Sequence, residues 1–417
     1  MPTNTGIPEY DNTAISNNIY RYRASGYYVL GQDKYTIDYT NFDSIVIDYN
    51  YDVNNMPIVY AILNLSTKVI DTIVKNKDTG VFILTIQKCI ENSDMPDLWK
   101  DYISATFLYF TTDDINKTDT RDYENSSDGR DDIYKELTVG LLAQDLVNNN
   151  RRSVNGIINC NSMMGATLYT LGTSRQLVIE SFENNAALKT VFLPPRNSIA
   201  KSLEYLNGLS TFYNTPYRYF MDFDVSYLLS SRGNKVPKKG DSVNTIMIVL
   251  KNDYDTESKL QGMSTDETNG YCQVEIAATN VEVSDYKEKA KLYTKVRSTD
   301  TNGKSSEFDV VSKSNTSNFS NKSVHVRVPN DNIGLLTNAE KYSMFYMAVN
   351  KTDLDTSVFT PNKEYQINAD EVYEGCGYSG KFLLRRKREL YFKSTGKTAD
   401  NKLTLSTMLF FEKVYEG

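Results

Sequence analysis

The chain has 417 residues, with 46 Lys+Arg against 53 Asp+Glu, giving a formal charge of −7. That acidity argues against a nucleic-acid binder, whose footprint is a basic surface. A lone histidine, His325, excludes His-rich metal sites and any mechanism needing two imidazoles, whereas 31 Tyr and 17 Phe supply ample surface for large cores.

The length corresponds to roughly three domains. Cys89, Cys160, Cys272 and Cys376 lie far apart with no C-x-x-C pair, and are read as free thiols in a reducing cytosol. The first eighteen residues are polar, without a basic n-region or an apolar h-region, so no secretion signal is read. No apolar run reaches the ~18 residues of a membrane span, and a soluble intracellular product is expected.

In chain order, Tyr35–Tyr49 alternates apolar and polar residues and predicts two short strands hinged at Asn41. Asn55 as N-cap, Pro57 in the first turn, and Ile58, Ile62, Leu65, Val69 and Ile73 on one stripe predict a helix from Asn55 to about Lys75. Gly80–Lys88 and Ile103–Phe110 read as strands around a break at Pro96. Residues 111–132 hold eight acidic against three basic residues and almost no aliphatics, which predicts a solvated loop or linker. Asp113, Asp119, Asp122 and Asp128 raise calcium as an alternative, but the spacing of a calcium loop is missing.

Ile133, Leu137, Leu141 and Leu146 repeat at a helical period, and Ser162–Leu171 predicts a short helix closed by Gly172. Arg175–Phe182 reads as a strand. Asn197 is the expected N-cap of a helix burying Ile199, Leu203 and Leu206, and Thr215–Ser231 is an aromatic strand pair. Beyond Gly240 the pattern is β, with strands at 244–250, 273–278, 323–328 and 344–349 and an apolar C-terminal hairpin that must dock in a sheet.

Two blocks resemble each other. Gly80-Val-Phe-Ile-Leu leads to Ser104-Ala-Thr-Phe-Leu-Tyr-Phe110, and Gly380-Lys-Phe-Leu-Leu leads to Leu405-Ser-Thr-Met-Leu-Phe-Phe411. Either these are two unrelated apolar hairpins, or a small β-barrel occurs twice. Catalytic motifs are lacking: no Walker loop, G-x-S-x-G elbow or H-E-x-x-H is present. His325 lies in alternating VHVRV and reads as a strand-surface residue. Asp222 and Asp224 in FMDFD would share one face of a strand; their aromatic neighbours explain that alternation without chemistry. The run Arg385-Arg386-Lys387-Arg388 lies within a strand pattern and would project two side chains to each face. It could meet an acidic partner or a nucleic-acid lumen, but reads best as an ordinary charged strand.

In the middle of the chain, Leu193-Pro194-Pro195, Tyr205-Leu206-Asn207, and Tyr217, Phe220, Asp222, Asp224 and Tyr227-Leu228-Leu229 follow in an order that resembles the tail or baseplate hub proteins of bacteriophages. The early YDVNNMPIVYAILNL, the later FTPNKEYQI and the final FEK fit the same texture, so the likeness runs from about Tyr35 to Lys413. Such hubs are similar to the spike base of type VI secretion systems.

The resemblance implies a β-rich α+β fold of two tudor-like β-barrels plus α+β modules, assembled as a homotrimer. Its divisions are expected at 1–112 (barrel with one helix), 113–132 (acidic linker), 133–239 (α+β) and 240–417 (β-rich, with the second barrel). It implies a structural, non-enzymatic virion protein that adapts a six-fold tail tube to a three-fold spike. The expected partners are its own copies, tail-tube proteins, a central spike or tail lysin, and neighbouring baseplate proteins. No catalytic, cofactor or metal residue, no cofactor, no specific nucleic-acid recognition and no membrane span is expected. The protein would assemble in the host cytoplasm into the virion tail. The alternative is a tail-tip wall hydrolase using a carboxylate pair.

Overall fold

The computed structural model describes residues 20–51, 55–90, 98–110, 134–172, 175–231, 236, 242–251, 263–266, 268–277, 281–286, 293–299, 305–311, 325–326, 344–352, 357–369, 379–393 and 402–414. The first strands are β1 (Tyr20–Leu30), β2 (Asp33–Ile37), β3 (Phe42–Asn50) and β4 (Ile58–Ser66), followed by helix α1 (Thr67–Lys75). Next come β5 (Val81–Ile90), β6 (Lys100–Phe110) and β7 (Tyr134–Ala143). The middle holds α2 (Gln144–Arg151), β8 (Gly156–Asn159), α3 (Met163–Leu171), β9 (Gln176–Ile179), β10 (Thr190–Leu193), α4 (Ile199–Leu209), β11 (Tyr217–Met221) and β12 (Val225–Ser230). Thereafter the described elements are all β: β13 (Thr245–Lys251), β14 (Met263–Asp266), β15 (Tyr271–Ala277), β16 (Val281–Tyr286), β17 (Tyr293–Thr299) and β18 (Ser305–Val311). The last are β19 (His325–Val326), β20 (Met344–Thr352), β21 (Glu364–Asn368), β22 (Gly380–Lys393) and β23 (Leu403–Lys413). The chain is therefore β-rich α+β, as the resemblance implies.

Eight strands pair in a circuit. Antiparallel pairings run β22–β3–β4–β7–β6–β5–β1–β23 and return from β23 to β22. The β1–β23 link rests on one residue pair, Tyr22 with Leu403. Both blocks of the internal repeat are antiparallel hairpins of this one circuit, β5–β6 and β22–β23. The C-terminal hairpin also serves a second group of strands. Arg386–Phe392 of β22 pair β3, whereas Phe382 and its neighbours pair β21; β23 similarly passes from β1 to β20. A bulge between Leu384 and Arg386 marks the change of partner, as expected of a strand that switches sheets.

Pairing also crosses the divisions expected from sequence. β7, in the expected middle domain, joins β4 and β6, and β22–β23, in the expected C-terminal region, join β3 and β1. The acidic segment 111–132, the break at Pro96 and Cys376 lie outside the described residues. Of the described cysteines, Cys89 and Cys272 are buried and Cys160, half-buried, is a free thiol.

Two expected helices are corrected. Residues 58–66 form β4, and the helix is confined to α1. Ile58, Ile62 and Leu65 fit a helical stripe, but Val59, Ala61, Leu63 and Leu65 bury alternately and the segment is hydrogen-bonded on both sides, to β3 and β7. A run apolar at both parities satisfies either period, and neighbouring strands decide it. The helical period expected from Ile133 to Leu146 breaks the same way: Leu137, Val139 and Leu141 alternate into the core from β7 and Leu146 lies in α2, while Ile133 lies outside the described residues. The N-cap expected at Asn197 is Ser198, whose hydroxyl accepts from the Lys201 N–H.

Other elements match their sequence signals. Ser162 caps α3 through the Gly165 N–H at 3.1 Å, and Gly172 ends it at φ 69°, a conformation that favours glycine. Gly80 precedes β5 where the Tyr28 ring covers the backbone; a Cβ there would fall 2.0 Å from the Tyr28 hydroxyl.

Nine of the tyrosines whose burial is described lie in the core. Tyr22, Tyr28, Tyr51, Tyr213, Tyr219 and Tyr391 are among the largest fully buried side chains. Burial pushes the Tyr213 hydroxyl well up and the Tyr217 and Tyr219 hydroxyls up to about 12, so all three stay protonated donors. The ring packs while the hydroxyl reaches a carbonyl: Tyr213 Oη donates to Glu180 O at 3.0 Å.

Candidate functional site

β22 alternates strictly beyond its bulge. Arg386 and Arg388 point outward, where both donate to Asp48 on the paired strand β3. Burial alone would push the Asp48 carboxyl up; the hydrogen bonds from the two guanidiniums outweigh it and hold the carboxyl below its usual range. Arg385, the bulge residue, pairs with Glu412. The basic run is thus bound within the chain, as an ordinary charged strand.

The inward parity carries Lys387, Glu389 and Tyr391. The Glu389 side chain has no exposure and that of Lys387 only 6%. A carboxylate in that position must be paired and hydrogen-bonded. Lys387 Nζ lies 3.0 Å from Oε1, and Tyr102 Oη donates to the same oxygen at 3.3 Å. Tyr391 Oη and Tyr49 Oη donate to Oε2 at 2.8 and 3.3 Å. Lys387 Nζ also lies 4.4 Å from the centre of the Tyr49 ring. Burial first, then the neighbouring Glu389, pushes the Tyr49 and Tyr391 hydroxyls well above their ordinary value. They remain donors throughout the physiological range.

A cleft of about 460 Å³ opens beside this cluster, with Lys387, Tyr49 and Tyr102 on its buried side. Its wall includes Asp145 from the first turn of α2 and the turn Asp222–Asp224 between β11 and β12. Arg175 fixes these parts relative to one another. It donates to the Asp145 carboxylate at 2.6 Å and to the carbonyls of Asp222 and Phe223. The turn is closed by the Asp222 N–H on Val225 O at 2.7 Å, and the Asp222 carboxylate accepts from the Phe223 N–H at 2.7 Å.

Asp222 and Asp224 therefore lie on a turn, not on one face of a strand. The hairpin must reverse there, and an aspartate that bonds the next backbone N–H suits reversal better than pairing. The structure brings both to the cleft. It also brings Lys387, paired with the fully buried Glu389, and sequence reasoning left both as strand residues. Their shared parity with Tyr391 is the signal that marks them as inward. His325 falls in the two-residue strand β19, paired with β17. Among the described residues, no group of three or more His, Cys, Asp or Glu side chains is placed to hold a metal ion, and no helix is long and apolar enough to cross a membrane.

With this geometry in hand, the family model described as bacteriophage PBS1 gene 109 protein matches residues 11–408. The chain belongs to that family. Comparison with curated proteins gives no match. Among solved structures, the chain is similar to the 43 kDa tail protein of prophage MuSo2 from Shewanella oneidensis, at 7% identity over 93% of this chain and 98% of that one, with a TM-score of 0.45. It is also similar to a chain of the Francisella PdpA–VgrG complex. In the half-lidded form the identity is 8% over 97% of this chain and 60% of that one, with a TM-score of 0.38. In the lidless form it is 9%, over 97% and 67%, with a TM-score of 0.37.

The middle of this family member also carries an exposed apolar surface. β8 and β10 form a two-stranded ribbon in which Ile157 stands directly opposite Phe192. Both face outward, 70% and 57% exposed, while Ile158, Val191 and Leu193 bury the other side. Leu168, Tyr169 and Leu209, on α3 and α4, are exposed as well.

Proposed function

We propose that the chain is a structural, non-enzymatic component of a phage tail: the hub that joins a six-fold tail tube to a three-fold spike, acting as a homotrimer. The observation that carries this reading is the match to a bacteriophage protein family over residues 11–408. It is supported by the order of motifs from Tyr35 to Lys413 that resembles tail hubs. In this reading the eight-stranded circuit is one barrel, and the strands gathered on the other end of β22–β23 belong to the second. Exposed apolar side chains such as Phe192 and Ile157 suit burial between assembled parts. Its partners would be its own copies, tube subunits, the spike or a tail lysin, and adjacent baseplate proteins, within the virion.

Native mass measurement tests the proposal. A species at three times 47.4 kDa, or one that forms only on mixing with tube subunits, is the expected result. Phe192→Asp is expected to reduce that assembly while leaving the fold intact. A chain that stays monomeric at high concentration and ignores tube subunits would overturn the reading.

A further inference from the structure

One wall of the cleft is the edge of a strand. Five consecutive residues of β6, Tyr102 to Thr106, line it. Side chains alternate across a strand, so a pocket on one face of a sheet touches every second residue. Buried Ile103 and exposed Ser104 point to opposite faces, yet both line the cleft, which places the backbone edge against it. The pairing agrees. Among the described residues Ile103–Thr106 pair with β5 alone, because β7 joins β6 only from Phe107 onward and the chain turns from β7 into α2 at Gln144. In an antiparallel ladder alternate residues direct both N–H and C=O to the same side, so every second residue of this run presents both groups to the cleft. The open edge is about 14 Å long at ~3.4 Å per residue. Tyr102–Thr106 contains neither a charge nor a proline, the residues by which exposed edges are closed to further strands. Other walls are the first turn of α2 and the Asp222–Val225 turn, held together by Arg175. Lys387 is matched by Glu389 and Asp145 by Arg175, so the lining keeps the negative charges of Asp222 and of the exposed Asp224.

We infer that this cleft takes an extended, basic segment of a partner polypeptide, which adds to β6 as a strand alongside Ile103–Thr106 and sets a Lys or Arg side chain against Asp224. Main-chain hydrogen bonds to the edge supply the affinity, and the side chains that meet the walls supply the choice of sequence. A cleft of about 460 Å³ suits a short segment rather than a folded domain. The inference stands apart from the hub reading, since the open edge and its charge belong to the cleft whatever the role of the protein, and its test uses isolated peptides rather than tail parts.

The probe is an mRNA-displayed library of random peptides selected on the full chain, after which the enriched peptides are synthesised and titrated by calorimetry. They are expected to carry Lys or Arg among β-branched residues. Methylating the backbone nitrogens of alternate residues tests the strand pairing, because only one of the two parities faces β6. One parity is expected to weaken binding at least about tenfold and the other to leave it nearly unchanged. Ser104→Lys places a charge on the open edge, at the cost of one hydroxyl contact with Thr85, and is expected to abolish binding. Asp224→Asn is expected to weaken it about threefold, as an exposed charge pair does. Lys34→Ala, on β2 and outside the cleft lining, is expected to change nothing. Circular dichroism and urea midpoints close to those of the unaltered chain confirm that the variants are folded. The inference is overturned if no enriched peptide loses binding on Ser104→Lys, if the enriched peptides are acidic, or if the two methylation parities act equally. Self-association of the chain that Ser104→Lys removes, without peptide binding, would also overturn it and assign the edge to a second copy.

Discussion

On the outer face of β22, Asp48 holds Arg386 and Arg388 where the guanidinium side chains keep 37% and 41% of their exposure. On the inner face, one residue along, Lys387 and Glu389 make a pair of the same chemistry with almost none. Water can replace the outer partners, so their loss costs little. Nothing replaces the inner ones. The protein spends three tyrosine hydroxyls on Glu389 because an unpaired charge there would be expensive. One strand thus shows how surroundings, rather than charge type, set the value of an ion pair.

The sharpest test of that contrast is Glu389→Ala. It strands Lys387 and three hydroxyls, and a loss of about 3–5 kcal/mol is expected in urea unfolding. A loss below about 1 kcal/mol would show that water reaches the inner face. Lys387→Met should cost a similar amount, because it leaves Glu389 uncompensated. The double variant Lys387→Met/Glu389→Gln removes both charges yet keeps an acceptor for the hydroxyls. It should cost only about 1–2 kcal/mol, so a double-mutant cycle should return a large coupling.

Tyr391→Phe removes the 2.8 Å hydrogen bond to Glu389, and about 2 kcal/mol is expected, read from the urea midpoint at constant m-value. The smallest effect belongs outside. Asp48→Asn should cost about 1 kcal/mol or less at neutral pH. The Asp48 carboxyl is held below its usual range in the folded protein, so its contribution is present above about pH 4 and disappears as pH falls through the folded value. Stability of the unaltered chain should therefore fall more steeply on acidification than that of Asp48→Asn.

Where the sequence carried a single period, it could be read. The β5 and β6 strands, α3 with its Ser162 and Gly172 signals, and the β11–β12 hairpin fall where their patterns place them. Ile58–Leu65 could not be read in this way. Its residues are apolar at both parities, and only the flanking strands β3 and β7, the latter about 80 residues distant, decide between helix and strand. The cleft was half legible. Asp222 and Asp224 stood out as a spaced pair, but their turn geometry depends on Arg175, which sequence spacing does not connect to them. Glu389 was hidden for a similar reason. Its tyrosine partners Tyr49 and Tyr102 lie 340 and 287 positions earlier, and no local pattern reports a contact across that distance.

That distance has a consequence for synthesis. β3 receives one of its two neighbours from β22, and β1 meets β23 only at Leu403. A ribosome adding about 5–20 residues per second delivers the closing hairpin roughly 20–70 seconds after β3. During that interval the nascent chain presents unpaired strand edges, the condition in which strands pair with the wrong neighbour. Nascent chains halted before Gly380 should accordingly bind holding chaperones that release the chain once β22 and β23 have emerged.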